Sequence, residues 1–121
     1  MPSSTVGVCS WSLKPAGPKD LAEKVRACGV RGVQLALDPL RTGRWDVLET
    51  VDALGSSGVR VLSGMMEMEG EDYSTLESIA RTGGVRPDAT WDANIRAARQ
   101  NAELAARLGV GLVTFHAGFI P

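Results

Sequence analysis

With 121 residues, 44% of them apolar and 22% charged, the sequence has the size and balance of one globular domain with a single core. A formal net charge of −1 gives no electrostatic reason to expect a nucleic-acid or membrane partner. No apolar run approaches the roughly 20 residues of a membrane helix, and Met1-Pro2-Ser3-Ser4-Thr5 lacks the basic and apolar regions of a secretory leader, so a cytoplasmic protein is expected.

In chain order, a first strand is predicted over Val6–Trp11, delivering Ser10, Trp11 and Ser12 at its C-terminal end. Pro18 then opens a helix whose apolar stripe is Leu21, Ala22, Val25 and Cys28. The second strand, Gly32–Leu37, ends on Asp38, which precedes Pro39 at a turn. A second helix carries Val47, Leu48, Val51 and Leu54 on one stripe. The third strand, Val59–Met65, runs into a long connection from Met66 to Thr90 that holds Glu67, Glu69, Glu71 and Asp72. Loops of this length are functional or disordered, and Ser74 to Ile79 can form a short helix within it. The third main helix, about Trp91 to Leu108, carries Ile95, Ala98, Ala102 and Ala105 on one side. A fourth strand, Leu112–His116, is followed only by Ala117 to Pro121. Cys9 on the first strand and Cys28 on the first helix are both expected to be buried structural thiols, as suits a reducing compartment.

A repeat organises these elements. Ala27-Cys28-Gly29-Val30, Ser57-Gly58-Val59 and Leu108-Gly109-Val110 each read as a helix end, a glycine cap and the start of a strand. Short apolar strands alternating with one-faced helices predict an α/β fold with a parallel sheet and right-handed crossovers. Four strands are half of a (β/α)8 barrel, which takes about 200 residues or more. Residues 1–121 are therefore expected to form one partial barrel, its N-terminal half, with no second domain; a complete four-stranded open sheet is the alternative.

Parallel α/β proteins gather their sites at the C-terminal ends of the strands. By that rule the candidate substrate-binding residues are Trp11, Gln34, Asp38, Glu67 and His116. His116, the one histidine, can bind a metal or a substrate hydroxyl, or serve as a structural hydrogen-bonding group. Asp38 can shape an Asx-type turn, and Trp11 can wall a small ligand or fill the core. Glu69, Glu71 and Asp72 read as a solvated acidic loop, and Trp45 and Trp91 as packing residues. No Gly-x-Gly-x-x-Gly follows the first strand, and no P-loop, zinc cluster or nucleophile elbow is present.

Three stretches, Val6–Ser12, Leu21–Leu35 and Ala105–Gly118, in this order and spacing, resemble the xylose-isomerase-like TIM barrel superfamily. The resemblance implies a sugar or sugar-phosphate isomerase or epimerase that moves a proton next to a carbonyl. It also implies a divalent metal (Mn, Mg, Co or Zn), held mainly by residues from later strands. His116 matches the fourth-strand histidine that binds zinc in the endonuclease branch of the group, which makes it the candidate metal ligand of this chain. Ser63-Gly64 stands where that branch has a third-strand histidine, and Gln34 where many relatives have Glu. The expected partner is thus a small sugar, with neither nucleic acid nor membrane. The alternatives are a non-catalytic half-barrel that pairs with itself as a homo-oligomer and a metal hydrolase of the apurinic-endonuclease type.

Overall fold

The computed structural model describes residues 5–120; the leader reading of Met1 to Ser4 lies outside them. Four strands, β1 (Gly7–Cys9), β2 (Gly32–Ala36), β3 (Arg60–Met65) and β4 (Val113–Thr114), form one sheet in the order β1-β2-β3-β4, every pair parallel. Each strand lies beside its predecessor, so the sheet winds in one direction without the reversal of a doubly wound fold. This is the α/β architecture of consecutive βα units expected for a half barrel.

The helices are α1 (Pro18–Ala27), the single turn α2 (Asp38–Arg41), α3 (Val47–Ser56), α4 (Leu76–Thr82) and α5 (Trp91–Arg107). Three of the starts have a clear local cause. Pro18 sits in the first turn of α1, where its missing N–H costs nothing. Asp46 accepts from the Glu49 amide to cap α3. Thr75 and Ser78 form a reciprocal capping box on α4. The short helix expected near Ser74 to Ile79 is thus α4, starting two residues and ending three residues nearer the C-terminus.

The core lies between the helices and one face of the sheet. Val33, Leu35 and Leu37 from the second βα unit meet Leu21, Ala22 and Val25 of α1, Leu54 of α3, and Leu104 and Ala105 of α5. Gly64 lies under Leu37: a Cβ there would come within 2.7 Å of its side chain. The opposite face carries Cys9, Gln34, Ser63 and Thr114 by register. At its base a bulge in β3 projects Leu62 over Gly7 and Gly32, where a Cβ would lie within 2.8 Å of the leucine.

Four expectations about packing are corrected. Cys28 is exposed and Cys9 only half-buried, because α1 closes before Cys28 turns inward. On α3 the inward side is Thr50 and Leu54, while Leu48 is 74% and Val51 47% exposed. Thr50 is drawn inward with its hydroxyl satisfied by the Asp46 carbonyl. On α5 the buried line is Asn94, Asn101, Leu104 and Ala105, and Ala102 faces outward. The two asparagines rotate that helix toward the strand ends, where their amides have partners. Trp91, read as a packing residue, is 46% exposed.

No helix among the described residues is long and apolar enough to cross a membrane.

Candidate functional site

β1 ends in a 3-10 turn, Ser10–Leu13. Ser10 is buried there and its hydroxyl accepts from the Ala36 amide, joining the ends of β1 and β2. This turn sets Trp11, 40% exposed, at the edge of a cleft of about 450 Å³ above the strand ends. The cleft is lined by the aromatic side chains of Trp11 and Trp45 and, among its polar groups, by Asp38, Glu67, Glu71 and His116. Four of the five candidate residues, Trp11, Asp38, Glu67 and His116, therefore converge on one opening.

Gln34 does not line it. It sits lower on the inner face, where its amide donates to Thr114 Oγ1 at 2.9 Å and its carbonyl receives the Cys9 thiol at 3.4 Å. These contacts span the sheet from β1 to β4 and make Gln34 a floor residue beneath the cleft.

Asp38 is the joint of the site. Oδ2 accepts from the Glu67 amide at 2.8 Å. Oδ1 accepts from Asn101 Nδ2 at 3.1 Å and from the Arg41 guanidinium at 3.2 Å. One carboxylate thus ties the end of β2, the start of the loop after β3, and α5. The side chain is 17% exposed, so these are sheltered, charge-assisted bonds. The turn expected at Asp38-Pro39 is the one-turn helix α2.

The loop after β3 is ordered by its own side chains together with Asp38 and with Asn94 of α5. Met66 and Met68 are buried, the Glu69 amide donates to Asn94 Oδ1 at 2.7 Å, and the Met68 amide donates to Glu71 Oε1 at 2.6 Å. Glu71 corrects the sequence expectation: its side chain is 2% exposed, not a member of a solvated run. Its other oxygen receives the Tyr73 hydroxyl and lies 3.5 Å from His116 Nδ1. The same hydroxyl is 2.6 Å from His116 Nδ1. Asp72 does point outward, and hydrogen bonds from the Ser74 hydroxyl and then its amide hold its carboxyl below the ordinary carboxylate range.

Beyond α4 the loop straps the end of β4. The Val85 and Arg86 amides donate to the His116 and Ala117 carbonyls at 3.0 and 3.1 Å, and Arg86 Nη1 donates to the Phe119 carbonyl at 2.7 Å. His116 is thereby fixed through its backbone by one part of the loop and through its ring by another.

Glu71, Tyr73, Arg44 and Trp45 also line the cleft, and sequence reasoning did not select them. The spacing Glu71-x-Tyr73 in a long strand-end loop was the available signal, but nothing in it marks Glu71 for burial over Glu69.

Among the described residues no group of three or more His, Cys, Asp or Glu side chains could hold a metal ion. His116 has one acidic neighbour, Glu71, and the atoms they turn toward each other are shared with Tyr73. The described donors of this chain do not by themselves make up a metal site.

A solved structure, a xylose isomerase domain protein from Planctomyces limnophilus, matches with a TM-score of 0.68 and 23% identity over 83% of this chain. The chain spans 37% of the length of that protein, and the likeness is one of fold. No family model matches the sequence, and no curated protein does.

Proposed function

We propose that the cleft binds a sugar or sugar phosphate, and that this chain forms strands one to four of a barrel that isomerises or epimerises it by moving a proton next to a carbonyl. The observation that carries the proposal is the convergence of Trp11, Trp45, Asp38, Glu67 and His116 on one opening at the C-terminal ends of parallel strands. Indole faces suit the C–H faces of a sugar ring, and carboxylates with an imidazole suit its hydroxyls. Arg44 lines the same cleft and makes no ion pair among the described residues, which suits a phosphate on the substrate.

The roles divide by geometry. Trp11 supplies the apolar wall, Glu67 and His116 bind hydroxyls, and Asp38 holds the loop that carries Glu67. The base for the carbon-bound proton and the ligands of any divalent metal belong to later strands, as does cover for Leu112 and Phe115 beside β4, 58% and 45% exposed. The structural likeness to a xylose isomerase domain protein supports a barrel of this kind.

The test is solvent exchange. The full-length protein, incubated in D2O with a panel of ketoses and ketose phosphates, is expected to replace the proton beside the carbonyl of at least one by deuterium. A panel that remains undeuterated with and without added divalent metal contradicts the proposed reaction.

A further inference from the structure

His116 has two ring nitrogens with different surroundings. Nδ1 faces the Tyr73 hydroxyl at 2.6 Å and Glu71 Oε2 at 3.5 Å. Nε2 has no hydrogen-bond partner among the described residues, and the ring lines the cleft with 58% of the side chain exposed. The Tyr73 hydroxyl lies between Nδ1 and the Glu71 carboxylate and has one proton to give.

The direction of that proton follows from the acceptors. An ionised carboxylate only accepts, and Glu71 already accepts the Met68 amide through its other oxygen. Tyr73 therefore donates to Glu71, and its oxygen is left to accept from His116. For that, the proton of the neutral imidazole must reside on Nδ1. We propose that Glu71 and Tyr73 act together as positioning residues that hold His116 in the Nδ1–H tautomer and so present the Nε2 lone pair to the substrate cleft.

The consequence is chemical. A lone pair at Nε2 accepts a hydrogen bond from a sugar hydroxyl, where an Nε2–H would donate one. If the hydroxyl proton is transferred, it passes from the substrate oxygen to Nε2, leaving an alkoxide and an imidazolium. The imidazolium Nδ1–H then faces the tyrosine oxygen and, 3.5 Å away, the Glu71 carboxylate, which offsets its charge. No proton crosses the tyrosine. The burial of Glu71 has the same explanation: a sheltered carboxylate orients a neighbouring dipole more strongly than a solvated one. The catalytic use of Nε2 rests on the cleft being the sugar site proposed above; the tautomer does not.

The experiment is long-range 1H–15N correlation NMR on the full-length protein at about pH 8.5, some two units above an ordinary imidazole pKa. The His116 ring is assigned by its disappearance in His116→Gln. In the wild type the protonated nitrogen is expected to be Nδ1. In Glu71→Gln the new amide donates to the tyrosine oxygen, the tyrosine hydroxyl turns to Nδ1, and the imidazole proton is expected to move to Nε2. An Nε2–H ring in the wild type overturns the proposal even if the variant does not fold, and so does a ring unchanged by Glu71→Gln in a folded variant. Titration of the wild type with the panel of ketoses and ketose phosphates separates the two proposals. An Nδ1–H ring whose Nε2 resonance ignores every compound keeps the tautomer and rejects the sugar site.

Discussion

Asp38 and Glu71 show what single carboxylates do in this chain. Asp38 accepts from the Glu67 amide and from Asn101, both from segments that approach only in the folded state, and from Arg41 one turn along its own helix. Asn101 is fully buried and its Oδ1 already lacks a partner, so loss of Asp38 would strip both ends of that amide. A buried donor left unpaired costs about 1–3 kcal/mol. Asp38→Ala is therefore expected to destabilise the protein by about 2–4 kcal/mol, read from the shift of a urea unfolding midpoint. Asp38→Asn, which keeps one oxygen acceptor but turns an NH2 toward a donor, is expected to lose less than Asp38→Ala; a loss well under about 1 kcal/mol in Asp38→Ala would show that the hydrogen bonds at Asp38 carry little of its contribution. From the sequence, Asp38 was legible as a strand-end residue before a proline, but not as the joint of three segments. Its partner Asn101 lies far along the chain, on a helix face that apolar periodicity assigned differently.

At the scale of elements, the four strands were legible because short apolar runs, three of them after glycine caps, have few other uses. All four appear, shortened at their ends where strand pairing stops and turns begin. The faces of the helices were less legible. Periodicity tracks apolar side chains, whereas α3 and α5 turn Thr50, Asn94 and Asn101 inward, where the Thr50 hydroxyl and one atom of each asparagine amide find a partner. The long loop was recognisable by its length, but the backbone strap of Val85 and Arg86 on β4 has no signature in side-chain pattern. Gly84 enables it: φ is +76°, and a Cβ would lie 2.4 Å from the Gly118 nitrogen. Gly84→Ala is expected to cost about 2 kcal/mol or more and to displace His116, since both the left-handed conformation and the close approach are lost. Gly29 has the same φ with open space around it, so Gly29→Ala is the control, expected to cost about 1 kcal/mol. Thermal melts of the two variants check the difference; equal losses would mean that the strap contributes nothing.

Over the whole molecule, a sheet wound in one direction gives two faces with different duties. The helix side is apolar and closed around Leu35 and Leu37. The inner side is polar in its middle, with the Cys9–Gln34–Thr114 chain, and carries the cleft at its C-terminal end. The central claim is that this cleft takes a sugar between Trp11 and His116. The most direct measurement is a crystal structure of the full-length protein soaked to saturation with a ketose that exchanges in D2O, or with the tightest binder of the panel if none does. The account predicts the sugar against the Trp11 indole, with a hydroxyl within about 3 Å of His116 Nε2. A sugar bound away from the strand ends, or an empty cleft at saturation, would contradict it.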